Sequence, residues 1–248
     1  MKIGQLVLLL SKEKSYLAEV GKGKLNLQEG MIDLKSLLKK NFGDEIKTHI
    51  GKKFAIVKPN LNDLFKKKMK RLPQIIMPKD AALILAYTTA EPSSVVVDAG
   101  CGSGFLAIFL ANYVKPGKMV TYEINKQFAK VAKENIKNSG LKNVKLKMKD
   151  ARRGIDEKKV DLVVLDMQYC EKVVKHAYKS LKSGGWLVVY SPYIEQVKKV
   201  MKEINKMNFT QIKTVENIVR EWQVRDHTLP MRSGIMHTGF LIFARKVI

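Results

Sequence analysis

Four acidic residues, each at the end of a short apolar run, are the side chains whose type and spacing most directly suggest chemistry: Asp98, Glu123, Asp150 and Asp166. Directly after Asp98 come Gly100, Gly102 and Gly104 at alternate positions, with Cys101 and Ser103 between them. Glycine tolerates positive φ and lets a ligand approach the backbone. An apolar run that stops at an acid, enters such a turn and continues into apolar residues 106–114 reads as a buried strand, a tight ligand-binding turn and a helix whose free N–H groups face the ligand. Glu123, about 20 residues past the glycines, is placed to accept hydrogen bonds from both ribose hydroxyls of a nucleoside. Asp150 follows the next short strand, where an acid can accept from an adenine amino group. Asp166 closes a further run, 160–165, at the edge where open α/β sheets place their chemistry. A nicotinamide dinucleotide is disfavoured, because its fingerprint needs the third glycine one position later, where this chain has Phe105.

Positioning four strand-end acids requires a parallel sheet. From Pro78 onward the chain alternates helical and strand-like patterns: a helix over 80–88, the strand opening at Val95, a helix over 102–114, a strand over 118–123 and a helix over 128–138. Strands over 143–148 and 160–165, a helix over 173–181, a strand over 186–190 and a helix over 194–207 come next. Such alternation implies parallel strands joined by right-handed crossovers. The last two β-like stretches, 210–219 and 235–244, have no helix between them and are expected to pair antiparallel at the sheet edge after a long excursion. Residues 1 to about 60 read differently, with short β-like runs at 5–10, 15–20 and 54–57 broken by Gly and Lys. Residues 34–38 suit a helical turn as well as a strand, and 66–71 form a basic linker with apolar residues spaced for a short helix. The expected division is a small β-rich domain with its linker over 1–70 and an α/β domain over 71–248.

Composition narrows the partners. Lys and Arg number 46 against 23 Asp and Glu, a net charge of +23 that favours a polyanion such as nucleic acid, with a lysine-rich thermophile surface as the competing explanation. No apolar run reaches the eighteen or so residues of a membrane helix, and the first residues lack a small-residue cleavage site, so a soluble, cytoplasmic protein is expected. The two cysteines, Cys101 and Cys170, fit a reducing compartment and lack metal-ligand spacing, so no metal site is expected. Arg220-Glu221-Trp222 and the His237 segment mix arginine and aromatics between β-runs, as base stacking and phosphate contact require. His49 and His176 carry no site signal.

Gly-x-Gly-x-Gly after a strand-terminal Asp is the pattern of S-adenosylmethionine-dependent methyltransferases. Beyond that loop, several separated segments together resemble the tRNA adenine-N1 methyltransferases of the TrmI and Trm-sixty-one type. They are Gln74 to Ala82, Tyr122-Glu123, Leu165-Asp166, Tyr190 to Val197, Arg220-Glu221-Trp222 and His237-Thr238-Gly239-Phe240-Leu241. The resemblance runs from Phe54 to the end and extends weakly to the small N-terminal β domain. It implies a Rossmann-like class I methyltransferase sheet with an antiparallel edge hairpin, S-adenosylmethionine as cofactor, and a homotetramer acting on tRNA. The product implied is 1-methyladenosine in the T-loop at tRNA position 58, in archaeal members also at 57. Carried over by position, Gly100, Gly102 and Gly104, with Asp98 and Ser103, cradle the methionine end of the cofactor, Glu123 holds its ribose and Asp150 lies near its adenine. Asp166 corresponds to the catalytic acid, Gln74, Pro78 and Lys79 to a segment closing over the cofactor, and His237 and Thr238 to the hairpin bordering the target base. Lys79 and Arg220 join them on the substrate side.

One departure stands out. The family continues its catalytic acid into Asp-x-Pro-x-Pro-Trp, whereas this chain has Asp166-Met167-Gln168-Tyr169-Cys170. Loss of two stiffening prolines and a stacking tryptophan leaves Tyr169 as the candidate stacking residue and opens the choice of target nucleotide. The arginine usual before Pro230 is Leu229 here, with Arg225 and Arg232 nearby. The alternatives are a methyltransferase for another RNA base or a small molecule, and a non-catalytic RNA-binding subunit.

Overall fold

The computed structural model describes residues 1–21, 23–72, 75–231 and 237–248. The chain divides into two compact units, Met1–Lys70 and Arg71–Ile248.

In the first unit, strands β1 (Leu6–Leu10), β2 (Ser15–Glu19), β5 (Glu45–Lys47) and β6 (Lys53–Val57) form an antiparallel sheet in the order β2-β1-β6-β5. A separate hairpin joins β3 (Lys24–Leu27) to β4 (Gly30–Asp33). Val7, Leu9, Ala18, Ile32, Leu37, Phe54 and Ile56 meet in one core. On β6 the buried Phe54 and Ile56 alternate with more exposed neighbours, the period of two that a half-buried strand imposes. Residues 36–39 form a 3-10 turn rather than a strand. Helix α1 (Leu61–Lys67) starts at a reciprocal cap in which Asn60 Oδ1 accepts from the Asp63 N–H (3.0 Å) and Asp63 Oδ2 from the Asn60 N–H (2.8 Å). The basic run at 66–71 therefore begins inside a helix.

The second unit is built on seven strands. They are β7 (Val95–Ala99), β8 (Lys118–Tyr122), β9 (Val144–Lys147), β10 (Val160–Leu165), β11 (Leu181–Ser191), β12 (Phe209–Glu216) and β15 (Phe240–Lys246), in the order β12-β15-β11-β10-β7-β8-β9. All pairs from β9 to β11 are parallel, and β15 runs antiparallel to both β11 and β12, as the edge hairpin requires. Helix α2 (Pro78–Thr88) leads into β7, and α3 (Phe105–Val114), α4 (Lys126–Ser139), α5 (Val174–Ser180) and α6 (Ile194–Ile204) connect successive strands. The central strands are buried on both faces, which explains their unbroken valine runs. Helix α3 buries seven of its ten residues, whereas α6 buries only Val197, Val200 and Ile204, the i, i+3, i+7 stripe of a one-sided helix. A two-residue ladder, β13 (Trp222–Gln223) with β14 (Leu229–Pro230), lies within the excursion between β12 and β15.

The bounds shift in places. β11 begins at Leu181, five residues before the expected start, because Gly184 and Gly185 carry the strand across a register shift; a Cβ on Gly185 would sit 2.9 Å from the Val160 carbonyl oxygen. β12 ends at Glu216 rather than 219, and β15 starts at Phe240; Ile235, where that strand was expected to open, lies outside the described residues.

Candidate active site

β7 lies between β8 and β10, all three running the same way, so the connections leave β7 on opposite sides and open a crevice at its carboxyl end. Backbone bonds continue past the strand ends. The Asp166 N–H donates to the Ala99 carbonyl (2.6 Å), and the Gly100 N–H donates back to the Asp166 carbonyl (3.1 Å). Cys101 N–H donates to the Tyr122 carbonyl (2.9 Å), and Asn135 Nδ2 to the Ser103 carbonyl (2.8 Å). Gly102 and Gly104 both hold positive φ, 55° and 82°, and a Cβ at Gly104 would rest 3.5 Å from Ala132 on α4. The loop is thus fixed by its neighbours on three sides.

A cavity of about 640 Å³ opens at this edge, in the size range of cofactor sites. Gly100, Gly102, Ser103, Glu123 and Asp166 line it together. The Glu123 carboxylate accepts from the N–H groups of Gly102 (2.9 Å), Ile124 (2.9 Å) and Asn125 (2.8 Å). Three of its roughly four acceptor directions are therefore used, and the rest remain for a ligand hydroxyl. No described residue donates to the Asp166 carboxyl, and the protein around it withholds water, pushing its pKa up to about 7. Asp98 lies beneath the loop, 1% exposed. Its Oδ2 accepts from Thr121 Oγ1 (2.6 Å) while Oδ1 has no partner among the described residues. Burial, with Asp166 and Glu123 nearby, raises its pKa to about 8 against the opposing Thr121 bond. Asp166, without a described donor, and Glu123, with acceptor capacity left over, suit a ligand that brings positive charge and hydroxyls.

Other expected site residues fall elsewhere. Gly104 packs behind the loop and Asp150 does not line the cavity. The Asp150 carboxylate is taken by Arg152, through Nε (2.9 and 3.1 Å) and Nη2 (2.8 Å), and it is Lys149, Ala151 and Arg152 that reach the wall. Pro78 occupies the first turn of α2, where a missing N–H costs nothing, while Leu72, Ile75 and Ile76 before it line the cavity. Gln74 and Arg232 lie outside the described residues. Sequence reasoning missed Ile124, Asn125 and Phe128, which also line the cavity. The available signal was an apolar pair flanking the Asn125 cap of α4; Ile124 is 54% exposed and Phe128 39%.

Lys79 and Thr238 belong to a hub rather than to the cavity wall. Lys79 Nζ donates to Asp80 Oδ1 (2.8 Å), to Thr238 Oγ1 (2.8 Å) and to the Asn217 carbonyl, and Thr238 Oγ1 donates to Asp80 Oδ2 (3.0 Å). Asn217 Nδ2 returns a bond to the Lys79 carbonyl (2.9 Å), and the Tyr190 hydroxyl donates to the Thr238 carbonyl. Gly239 is needed beside Tyr190, since a Cβ there would lie 2.5 Å from the ring. His237 faces acceptors on both ring nitrogens, Glu216 Oε1 at 2.5 Å and the Pro192 carbonyl at 3.0 Å, and the Glu216 carboxylate, then Pro192, raise its pKa. Arg220 and Tyr169 are exposed.

A seven-stranded sheet with one reversed strand next to its edge, a glycine loop after β7 and acids at the ends of the strands on either side of it define a Rossmann-like class I methyltransferase. The chain belongs to the tRNA methyltransferase complex GCD14 subunit family, whose model matches residues 53–235. It is 36% identical over 268 residues to the tRNA (adenine(57)-N(1)/adenine(58)-N(1))-methyltransferase TrmI of Methanocaldococcus jannaschii, covering 96% of this chain and 94% of that one. With the tRNA (adenine(58)-N(1))-methyltransferase TrmI of Thermus thermophilus it shares 30% identity, covering 98% and 97%. Among solved structures it is similar to a SAM-dependent O-methyltransferase from Thermotoga maritima (TM-score 0.87, 33% identity, 100% and 95% covered). It is also similar to the tRNA (m1A58) methyltransferase TrmI of Aquifex aeolicus (TM-score 0.80, 26% identity, 100% and 99% covered).

Proposed function

We propose that the chain is an S-adenosylmethionine-dependent tRNA (adenine-N1)-methyltransferase acting on the T-loop adenine at position 58, with position 57 as a second target, as the names of its relatives suggest. The observation that carries the reading is Asp166, a carboxyl with no described donor on the wall of a nucleoside-sized cavity, one backbone bond from the glycine loop. S-adenosylmethionine, when bound, supplies a methyl carbon activated by its sulfonium. Glu123 holds the ribose hydroxyls, and Gly100, Gly102 and Ser103 present the backbone to the amino-acid end, with Asp98 and Gly104 shaping the loop from behind. Asp150, through Arg152, fixes the 149–152 rim on the adenine side, and Pro78 belongs to the segment that closes over it. Asp166, once ionised, accepts a hydrogen bond from the exocyclic amine of the target adenine, turns N1 toward the cavity and stabilises the positive charge that develops on the base.

Tyr169, His237 and Arg220 are assigned to the tRNA side, and Lys79 and Thr238 support it by holding α2 against the start of β15. The net charge of +23 supports a polyanionic substrate. A homotetramer working in the cytoplasm, without a metal, completes the reading. No helix among the described residues is long and apolar enough to cross a membrane. Incubation of the purified protein with labelled S-adenosylmethionine and unmodified tRNA, then nucleoside analysis, is expected to yield 1-methyladenosine. A labelled nucleoside other than 1-methyladenosine, or none, overturns the proposal. The Thermotoga structure's name makes O-methylation the competing reaction, and a small molecule is the competing substrate. Substrate affinity indifferent to salt would favour that alternative.

A further inference from the structure

The turn after Asp166 holds an arrangement that methyl transfer at Asp166 leaves unused. Tyr169 comes directly after Met167 and Gln168, which line the cavity, and caps the 3-10 turn Cys170–Lys172. Its backbone is left-handed (φ 61°, ψ 34°), a conformation that a residue with a Cβ rarely adopts and that clusters at functional sites. The next residue, Cys170, is buried, so the turn is anchored below while Tyr169 stays 54% exposed. Lys172 Nζ sits over the ring, 5.0 Å from its centroid, and so occupies one face. Arg152 lines the same cavity as Met167 and Gln168, and Asp150 fixes its guanidinium through Nε and Nη2.

An exposed tyrosine is most often only an exposed tyrosine. Three facts argue otherwise here: the residue holds an unfavourable left-handed backbone, a cation covers one face of its ring, and it stands three residues from the carboxyl that lines the cavity. A base in an intact stack cannot reach an atom at the bottom of a cavity, so an enzyme acting on a base must receive it extruded. Unstacked RNA bases are received on aromatic faces, with arginine or lysine taking the adjoining phosphate.

We propose that Tyr169, Lys172 and Arg152 form the receiving site for the extruded target nucleotide, with the purine stacking on the uncovered face of Tyr169 and Arg152 taking a flanking phosphate. The inference rests on the reading of the chain as a tRNA methyltransferase. Lys172 orients the ring before the base arrives, and Arg152, held by Asp150, marks the side from which the backbone passes.

The test uses the full chain and a tRNA carrying 2-aminopurine at position 58, whose fluorescence rises on extrusion and is quenched by stacking on an aromatic ring. Wild type and Tyr169→Phe are expected to bind with quenched emission. Tyr169→Gly, which suits the left-handed turn, and Tyr169→Ala are expected to brighten the bound probe several-fold and raise KM for tRNA about tenfold, with affinity for S-adenosylmethionine unchanged. Arg152→Gln is expected to flatten the slope of log KM for tRNA against log salt by roughly 0.7 to 0.9, one phosphate contact. Unchanged emission and KM in both Tyr169 truncations overturn the proposal while wild-type methylation of tRNA stands. A wild type that methylates no tRNA adenine overturns the underlying reading instead.

Discussion

Two buried aspartates in the α/β unit are equally hidden, yet their surroundings are opposite. Asp80, 1% exposed, gives one carboxylate oxygen to Lys79 and the other to Thr238. Asp98, also 1% exposed, has one hydroxyl on Oδ2 and nothing on Oδ1 among the described residues, and Asp166 beside it receives no described donor at all. A buried charge is tolerated when paired and hydrogen-bonded, and otherwise takes up a proton. Asp80 has that compensation, and its network joins α2 to the start of β15. Asp98 and Asp166 lack it: Asp98, beneath the loop, keeps its proton, and Asp166, on the cavity wall, keeps its capacity for a ligand. Burial alone therefore does not mark a functional acid; burial without a partner does.

The contrast yields expectations that graded measurements can break. Replacing Asp166 by Asn should lower kcat by about 10²–10⁴-fold, the usual contribution of a positioned acid–base group, while calorimetric affinity for S-adenosylmethionine stays within a few-fold. A kcat within twofold of wild type would place the chemistry elsewhere. Asp80→Ala strands the Lys79 ammonium and should cost about 3 kcal/mol in urea unfolding, as breaking a buried pair does. Asp98→Asn should have the opposite sign at alkaline pH. With a folded pKa of about 8, above the carboxylate's ordinary 3.8, the folded protein holds a proton that the unfolded chain releases, so stability falls as pH rises from about 4 to 8. The variant should flatten that decline in a melting series; an unchanged pH slope would mean that the acid is compensated after all. The smallest effect belongs to His237. Its raised pKa means that its contribution is complete below the ordinary 6.5 and is lost as pH rises through the folded value. His237→Gln should slightly speed amide exchange near Glu216 below pH 6 and have little effect above pH 8.

Much of the sheet was legible because each central strand announces itself as an apolar run ending in an acid, and the glycine loop because alternate glycines before an apolar helix have few other uses. Glu123 and Asp166 emerged from the same logic. The hub at Lys79 was readable as a segment but not as a contact, since Lys79 and Thr238 are 159 residues apart and only the sheet's closure brings them together. Asp150 looked like a ligand acceptor because spacing cannot reveal that Arg152, two residues on, folds back onto it. The first unit hid more, since β3, β4 and β5 are three or four residues long and too short for periodicity to register.

The paired bonds between Asp166 and the Ala99–Gly100 segment have a further consequence. Because main chain rather than rotamers joins the acid to the glycine loop, the spacing between them is inherited with the fold and is independent of the side chains beyond Asp166. Gln168 and Tyr169, the exposed pair of that turn, are then free to be rewritten over evolutionary time without retuning the reaction, and exchanging them between relatives should retrain which nucleotide is accepted while the turnover rate is conserved.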